Sequence, residues 1–184
     1  MNTYVILMRG VNVGGKNKVP MAELQLRLQE LGFADVATYI QSGNVLLRSE
    51  LDAAAVSAAI EAMLPRKFTL HSPTVRVVAL ESATYKKIVQ QAPEGFGDDD
   101  TNYRYNVIFF LDSGPAEAMP QIEVREGVDA VWQGDHVLYF RNSMVGASKS
   151  RLSRISQQPI YRSITIRNWN TTTKLLRMLE ERVG

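Results

Sequence analysis

The chain has no cysteine among its 184 residues, which excludes disulfide bonds, thiolate catalysis and cysteine-ligated metals. That absence fits a reducing compartment, so a cytoplasmic location is expected. Histidine is scarce too: His71 and His136 stand alone, too few for a multi-histidine metal site. No apolar run approaches the roughly 18 residues needed to cross a bilayer. The opening MNTYVILMRG has too short an apolar stretch for a signal peptide, and no basic leader. A Gly-x-Ser-x-Gly nucleophile turn is also missing. These absences leave no expected membrane partner, metal or cofactor.

What is present is an ordinary globular composition, 45% apolar and 22% charged, enough for one large domain or two small ones. The net charge of +2 is small, but its distribution is uneven. From His136 to Leu179 there is no acidic residue, while Arg141, Lys149, Arg151, Arg154, Arg162, Arg167, Lys174 and Arg177 all fall there. A shorter acid-free stretch opens the chain, with Arg9, Lys16 and Lys18 ahead of Glu23. One-signed clusters attract anions. Carboxylates brought in by folding would neutralise them equally well.

Hydrophobic spacing supplies the elements. TYVILMR (3–9) is a continuous β-rich run, read as a strand buried on both faces. A helix begins at Pro20, carries Met21, Leu24, Leu28 and Leu31 on one face, and closes at Gly32. VATYI and NVLLR are strands joined by a tight turn at QSGN. Ser49 with Asp52 reads as a capping box for a helix bearing Val56, Ile60 and Met63. VRVVAL (75–80) completes a β-α-β-β-α-β order, the split arrangement of ferredoxin-like folds. A helix over 83–91, capped by Ser82, leads into APEGFGDDDT, the best linker candidate. The order then partly repeats. YNVIFFLD is a strand, Pro120 cuts short a helix begun at Pro115, and DAVWQ with HVLYFR forms a hairpin around Gly134–Asp135. Ser148 caps an expected helix holding Leu152 and Ile155; ITIRN is a strand, and 171–183 is a closing helix with Leu175, Leu179 and Val183 aligned. The expected class is α+β: two ferredoxin-like βαββαβ-type halves, at 1–95 and 102–184, with antiparallel or mixed sheets and a C-terminal helix.

Three constellations could bind a ligand. In RGVNVGGKNKVP, between a strand and a helix, Gly10, Gly14 and Gly15 let backbone N–H groups turn inward. Arg9, Lys16 and Lys18 add charge, and Asn12 and Asn17 add neutral donors, the parts of a phosphate or carboxylate cradle. Gly10, Gly15 and Lys16 fit G-x-x-x-x-G-K, but Asn17 stands where a nucleoside-triphosphate loop needs Ser or Thr. In Tyr39-Ile40-Gln41-Ser42-Gly43-Asn44 a tight turn alone accounts for the composition. Strand order leaves open whether it meets the first loop. In Arg167-Asn168-Trp169-Asn170-Thr171, Asn170 or Thr171 is the expected helix cap, beside N–H groups that favour an anion. Trp169 either stacks on a ligand ring or fills the core. Asp98, Asp99 and Asp100 read as an acidic linker.

Taken together, RGVNVGGKNKVPMAEL, TYIQSGNV and ITIRNWNTTTKL resemble the recurring blocks of domain-of-unknown-function family 1697. The resemblance spans most of the chain, and the combination is specific where each block alone is weak. It implies a bacterial-type cytoplasmic protein with a ferredoxin-like α+β fold, and no particular reaction. The positions it marks are Arg9, Gly10, Asn12, Gly14, Gly15 and Lys16; Tyr39, Ser42, Gly43 and Asn44; and Arg167, Asn168, Trp169 and Asn170.

Three functions remain in play. The first is binding of a small phosphorylated or carboxylated ligand by the loop and the helix entrance. The second is a single-stranded nucleic-acid module, motivated by the basic stretch interleaved with Tyr139, Phe140, Tyr161 and Trp169, although the usual RNA-binding strand signature is absent. The third is a protein-interaction or assembly unit without chemistry. Oligomeric state is not written in the sequence.

Overall fold

The computed structural model describes residues 1–71, 75–112 and 114–183. Among them the order is β1 (Asn2–Arg9), α1 (Met21–Glu30), β2 (Ala34–Tyr39), β3 (Asn44–Ser49), α2 (Ala53–Lys67), β4 (Arg76–Glu81), α3 (Ser82–Gln90), β5 (Tyr103–Phe110), α4 (Pro115–Ala118), β6 (Asp129–Gln133), β7 (Val137–Ser143), β8 (Ile164–Asn168) and α5 (Trp169–Val183). The strands form two four-stranded antiparallel sheets, ordered β2-β3-β1-β4 and β6-β7-β5-β8. The second sheet repeats the permutation of the first, so the α+β class and the two similar halves hold. The chain divides into two compact units, Met1–Tyr85 with Arg177–Gly184, and Lys86–Leu176.

In the first unit β1 is buried on both faces: Tyr4, Val5, Ile6 and Leu7 are fully buried. Alternation sends Tyr4, Ile6 and Met8 into one cluster with Leu24 and Leu28 of α1 and Val56, Ile60 and Leu64 of α2. Removing these side chains from water is the main stabilising term, at about 1.5–3 kcal/mol each. The cap of α2 differs from the expected box. Asp52 itself accepts from Ala55 N at 2.8 Å, while Ser49 Oγ accepts from Leu51 N at 3.0 Å. A carboxylate next to the helix start outcompetes a hydroxyl three residues earlier.

The second unit departs from expectation where its second helix should be. In place of a helix around Leu152 and Ile155 there are three 3-10 segments, Ala147–Lys149, Leu152–Gln157 and Pro159–Ser163. Side chains have taken the amides: Arg151 N donates to Asp129 Oδ2 at 2.9 Å and Leu152 N to Ser150 Oγ at 3.2 Å. Serine-rich chain competes with helix in this way. The segments still deliver Ile155 and Ile160 to a core with Ile108, Leu138, Phe140 and Ile164. The side chain of Val183, expected on the apolar face of α5, lies outside the described residues.

The other face of this sheet is aromatic, and the 92–101 segment packs onto it. Phe96 is buried, with its ring edge-on to Tyr105 at 4.9 Å, Tyr139 at 5.5 Å, Trp132 at 5.9 Å and Trp169 at 5.1 Å. Tyr139 donates to the carbonyl of Ile88 at 2.6 Å. Burial, with Asp135 adding to it, pushes the Tyr139 phenol up to about 12. Because that lies above the unfolded value of about 10, the neutral phenol stabilises the fold fully below pH ~10, and this contribution is lost as pH rises through about 12. The urea midpoint of the wild type is therefore expected to fall more steeply over that window than that of Tyr139→Phe. Parallel pH curves would refute the assignment.

Candidate functional site

Between β1 and α1 the chain makes a miniature hairpin. Val13 and Lys16 form an isolated antiparallel bridge, with Lys16 N donating to Val13 O at 3.0 Å. Gly14 (φ +58°) and Gly15 (φ +74°) make the tip, a pair of left-handed residues that glycine tolerates without strain. Two asparagines pin its base. Asn12 Nδ2 donates to the carbonyls of Val19 at 2.9 Å and Gln41 at 2.8 Å, and its Oδ1 accepts from Val19 N at 2.8 Å. Asn17 Nδ2 donates to Gly10 O at 2.8 Å, and its Oδ1 accepts from His71 N at 2.7 Å. Both amides, expected as ligand donors, thus act as internal staples. Gly14, Gly15, Lys16 and Lys18 are exposed, and among the described residues neither lysine forms an ion pair. No helix starts at Lys16, since α1 begins at Met21, so the geometry of a triphosphate loop is absent.

The second block meets the first. β1 runs antiparallel to β3, with Leu7 opposite Asn44, which lays the β2–β3 turn beside the end of β1. Met8 N donates to Gly43 O at 2.8 Å, and the Asn12–Gln41 bond ties the loops together. Asn44, fully buried, donates from Nδ2 to Tyr39 O at 3.1 Å and Ser42 Oγ at 2.9 Å. Arg9 is half-buried at the end of β1, opposite Arg76.

The third block lies in the second unit, where β8 passes directly into α5. Asn168, not Asn170 or Thr171, is the cap: its Oδ1 accepts from Thr171 N at 2.7 Å. The helix begins two residues earlier than its apolar pattern suggests because Trp169 already has helical backbone. Arg167 is buried, donating to Thr165 Oγ1 at 2.8 Å and Ile166 O at 2.9 Å. It braces the strand end. Trp169 rests on Gly97 (φ +97°) so closely that an added Cβ there would lie 2.3 Å from its Cδ1 and Nε1.

Asn168, Trp169 and Asn170 border a cavity of about 190 Å³. Its other walls come from Gly97 and Asp100 and from Tyr103, Arg104 and Tyr105 at the start of β5. The register that pairs Asn106 with Asn168 puts that start beside the first turn of α5. Arg104 and Asp100 form no ion pair among the described residues. Arg141 stacks its guanidinium on Tyr103 at 4.2 Å and stands 5.5 Å from the Trp132 ring, adding positive charge behind the wall. Asp99 is occupied locally, accepting from Asn102 N at 3.1 Å and Nδ2 at 3.0 Å. Gly97, Asp100, Tyr103, Arg104 and Tyr105 carried no signal in the sequence beyond an acidic run and a strand edge. Of the rings that motivated a nucleic-acid module, Tyr139 and Phe140 are buried.

The family described as "Protein of unknown function (DUF1697)" matches residues 1–139. The chain belongs to this family. The DUF1697 match takes in the opening hairpin, the β2–β3 turn and the β5 side of the cavity; the β8–α5 junction lies beyond it. One similar solved structure is that of the conserved bacterial protein SP0830 from Streptococcus pneumoniae, 27% identical, with a TM-score of 0.82 over 98% of this chain and 99% of that one. No curated protein matches this DUF1697 chain. Among its described residues no helix is long and apolar enough to cross a membrane.

Proposed function

We propose that this DUF1697 protein binds a small phosphorylated or carboxylated molecule in the cavity beside α5. The observation that supports this reading is a cavity lined by Arg104, which forms no ion pair among the described residues, and by the amino-terminal turn of a 15-residue helix, with the Asp100 carboxylate also on its wall. Cations and helix-start amides both favour an anion, and in a concave site their effects add. Asn168, Asn170, Trp169 and Tyr103 also line the cavity. At about 190 Å³ the cavity is smaller than a drug-sized pocket, which suits a metabolite. Lys16 and Lys18 are exposed in the first unit and do not line this cavity. A chain without cysteine is compatible with a reducing compartment, and a cytoplasmic location is part of the proposal.

Isothermal titration at low salt with phosphorylated and carboxylated metabolites tests the reading. Binding is expected to weaken about tenfold in Arg104→Ala, the cost of one charge-assisted contact at a solvent-facing site, with circular dichroism unchanged. Equal affinity in the variant would remove the basis of the reading.

A further inference from the structure

We infer that residues 93–101 form a lid over this cavity, held shut by the side chain of Phe96. The lid opens as a unit while the sheet beneath it stays folded; that it admits a ligand rests on the reading above. Phe96 is the one buried residue from Gln91 to Asn102. The segment's hydrogen bonds close on itself or on its own ends. Phe96 N donates to Pro93 O at 2.9 Å, Asp98 N to Gly95 O at 3.2 Å and Tyr103 N to Asp99 O at 3.1 Å, and Asp99 Oδ1 accepts from Asn102 N at 3.1 Å. Among the described residues none of its bonds reaches α5, β6, β7 or β8, and Glu94, Asp98, Asp99 and Asp100 form no ion pair. By contrast, β5 is paired with β7 on one side and β8 on the other. A segment without hydrogen bonds to the elements it covers opens at lower cost than the strand ladder beneath it.

What holds the lid down is apolar. The Phe96 ring lies edge-on to Tyr105, Trp169, Tyr139 and Trp132, with centroids between 4.9 and 5.9 Å away. Next to it Gly97 rests on the Trp169 indole. Gly95 (φ +73°) and Gly97 (φ +97°) stand on either side of Phe96, and glycine backbone swings about such a plug with little steric resistance. The lid supplies Gly97 and Asp100 to the cavity wall. Lifting it leaves Tyr103, Arg104 and Tyr105 with the first turn of α5 lining an open groove, and it uncovers Trp169. Closing it shuts a small solute away from water and slows its release.

Hydrogen exchange on the full chain without ligand, read by mass spectrometry, tests the lid. The Phe96 and Asp98 amides are expected to exchange roughly a hundredfold faster than those of β5 and β7, yet about tenfold slower than in the unfolded chain. Urea below the unfolding transition is expected to leave the lid rate unchanged. Ile108→Val, in the core on the opposite face of the sheet, is expected to speed exchange in β5 and β7 about fivefold and to leave the lid unaffected. Gly97→Ala, whose Cβ would strike the Trp169 ring, is expected to keep the lid raised. Its amides then lose their protection, and acrylamide quenches Trp169 about twofold more, followed in a Trp132→Phe background so that Trp169 reports alone. The lid falls if its amides are unprotected in the wild type, or if Ile108→Val speeds lid and strands alike. It falls equally if Gly97→Ala leaves both readouts unchanged. Because the lid is read without ligand and the anion reading by the Arg104→Ala titration, either can fail alone.

Discussion

Phe96→Ala is expected to cost about 3–5 kcal/mol of stability, the range for emptying an aromatic site in a packed core. Phe96 comes from a segment rich in Gly, Pro and Asp, yet it is only 7% exposed and its ring meets four others edge-on. Each such pair adds about 0.5–1.5 kcal/mol beyond area burial, and the surrounding rings are too rigid to collapse into the gap. Equilibrium denaturation measures the loss, and near-ultraviolet circular dichroism should show the tryptophan environments loosening with it. Phe96→Leu keeps most of the apolar volume and is expected to recover about half the loss. A penalty below about 1 kcal/mol for Phe96→Ala would mean that the segment merely lies on the sheet.

Gly43→Ala is expected to lose about 3 kcal/mol, whereas Gly14→Ala loses about 1 kcal/mol. Both positions have positive φ, +74° and +58°, so the conformational penalty of an L side chain is shared. They differ in surroundings. A Cβ at Gly43 would lie 2.5 Å from Val11 Cγ2 and 2.7 Å from Met8 Cβ, while one at Gly14 meets nothing within 4 Å. Met8 and Val11 are each 1% exposed, and Met8 Cβ moves only with the backbone of β1. The extra loss at Gly43 thus measures how tightly the β2–β3 turn is pressed onto the opening loop. Equal losses at the two positions would show that the loops part readily.

Much of the fold was legible because it is written in local patterns. The unbroken apolar run before Arg9 announced a strand buried on both sides, and Met21, Leu24 and Leu28 announced the inner face of α1; all are buried as expected. Errors fell where a distant group intervened. Residues 147–163 have helical spacing at Leu152 and Ile155, but Asp129, 22 residues before Arg151, takes that residue's amide. The cap at Asn168 was missed because the strand ITIRN and the helix share a border with no loop between them.

The site was legible only in part. Asn12 and Asn17 are the right residue types for a ligand cradle, and composition says nothing about whether an amide faces a ligand or a neighbouring carbonyl. Their partners, Gln41 and His71, come from other elements. The cavity wall shows the same limit. Asp100 and Arg104 read as linker and strand edge until antiparallel pairing of β5 with β8 carries them to Asn168 and Trp169, more than sixty residues on. Element type and the buried faces follow from short-range spacing, because burial imposes a period on the chain; the family resemblance rests on three short motif blocks. Which polar groups are spent on the fold and which are left for a ligand depends on contacts between segments far apart in sequence, and only packing sets those.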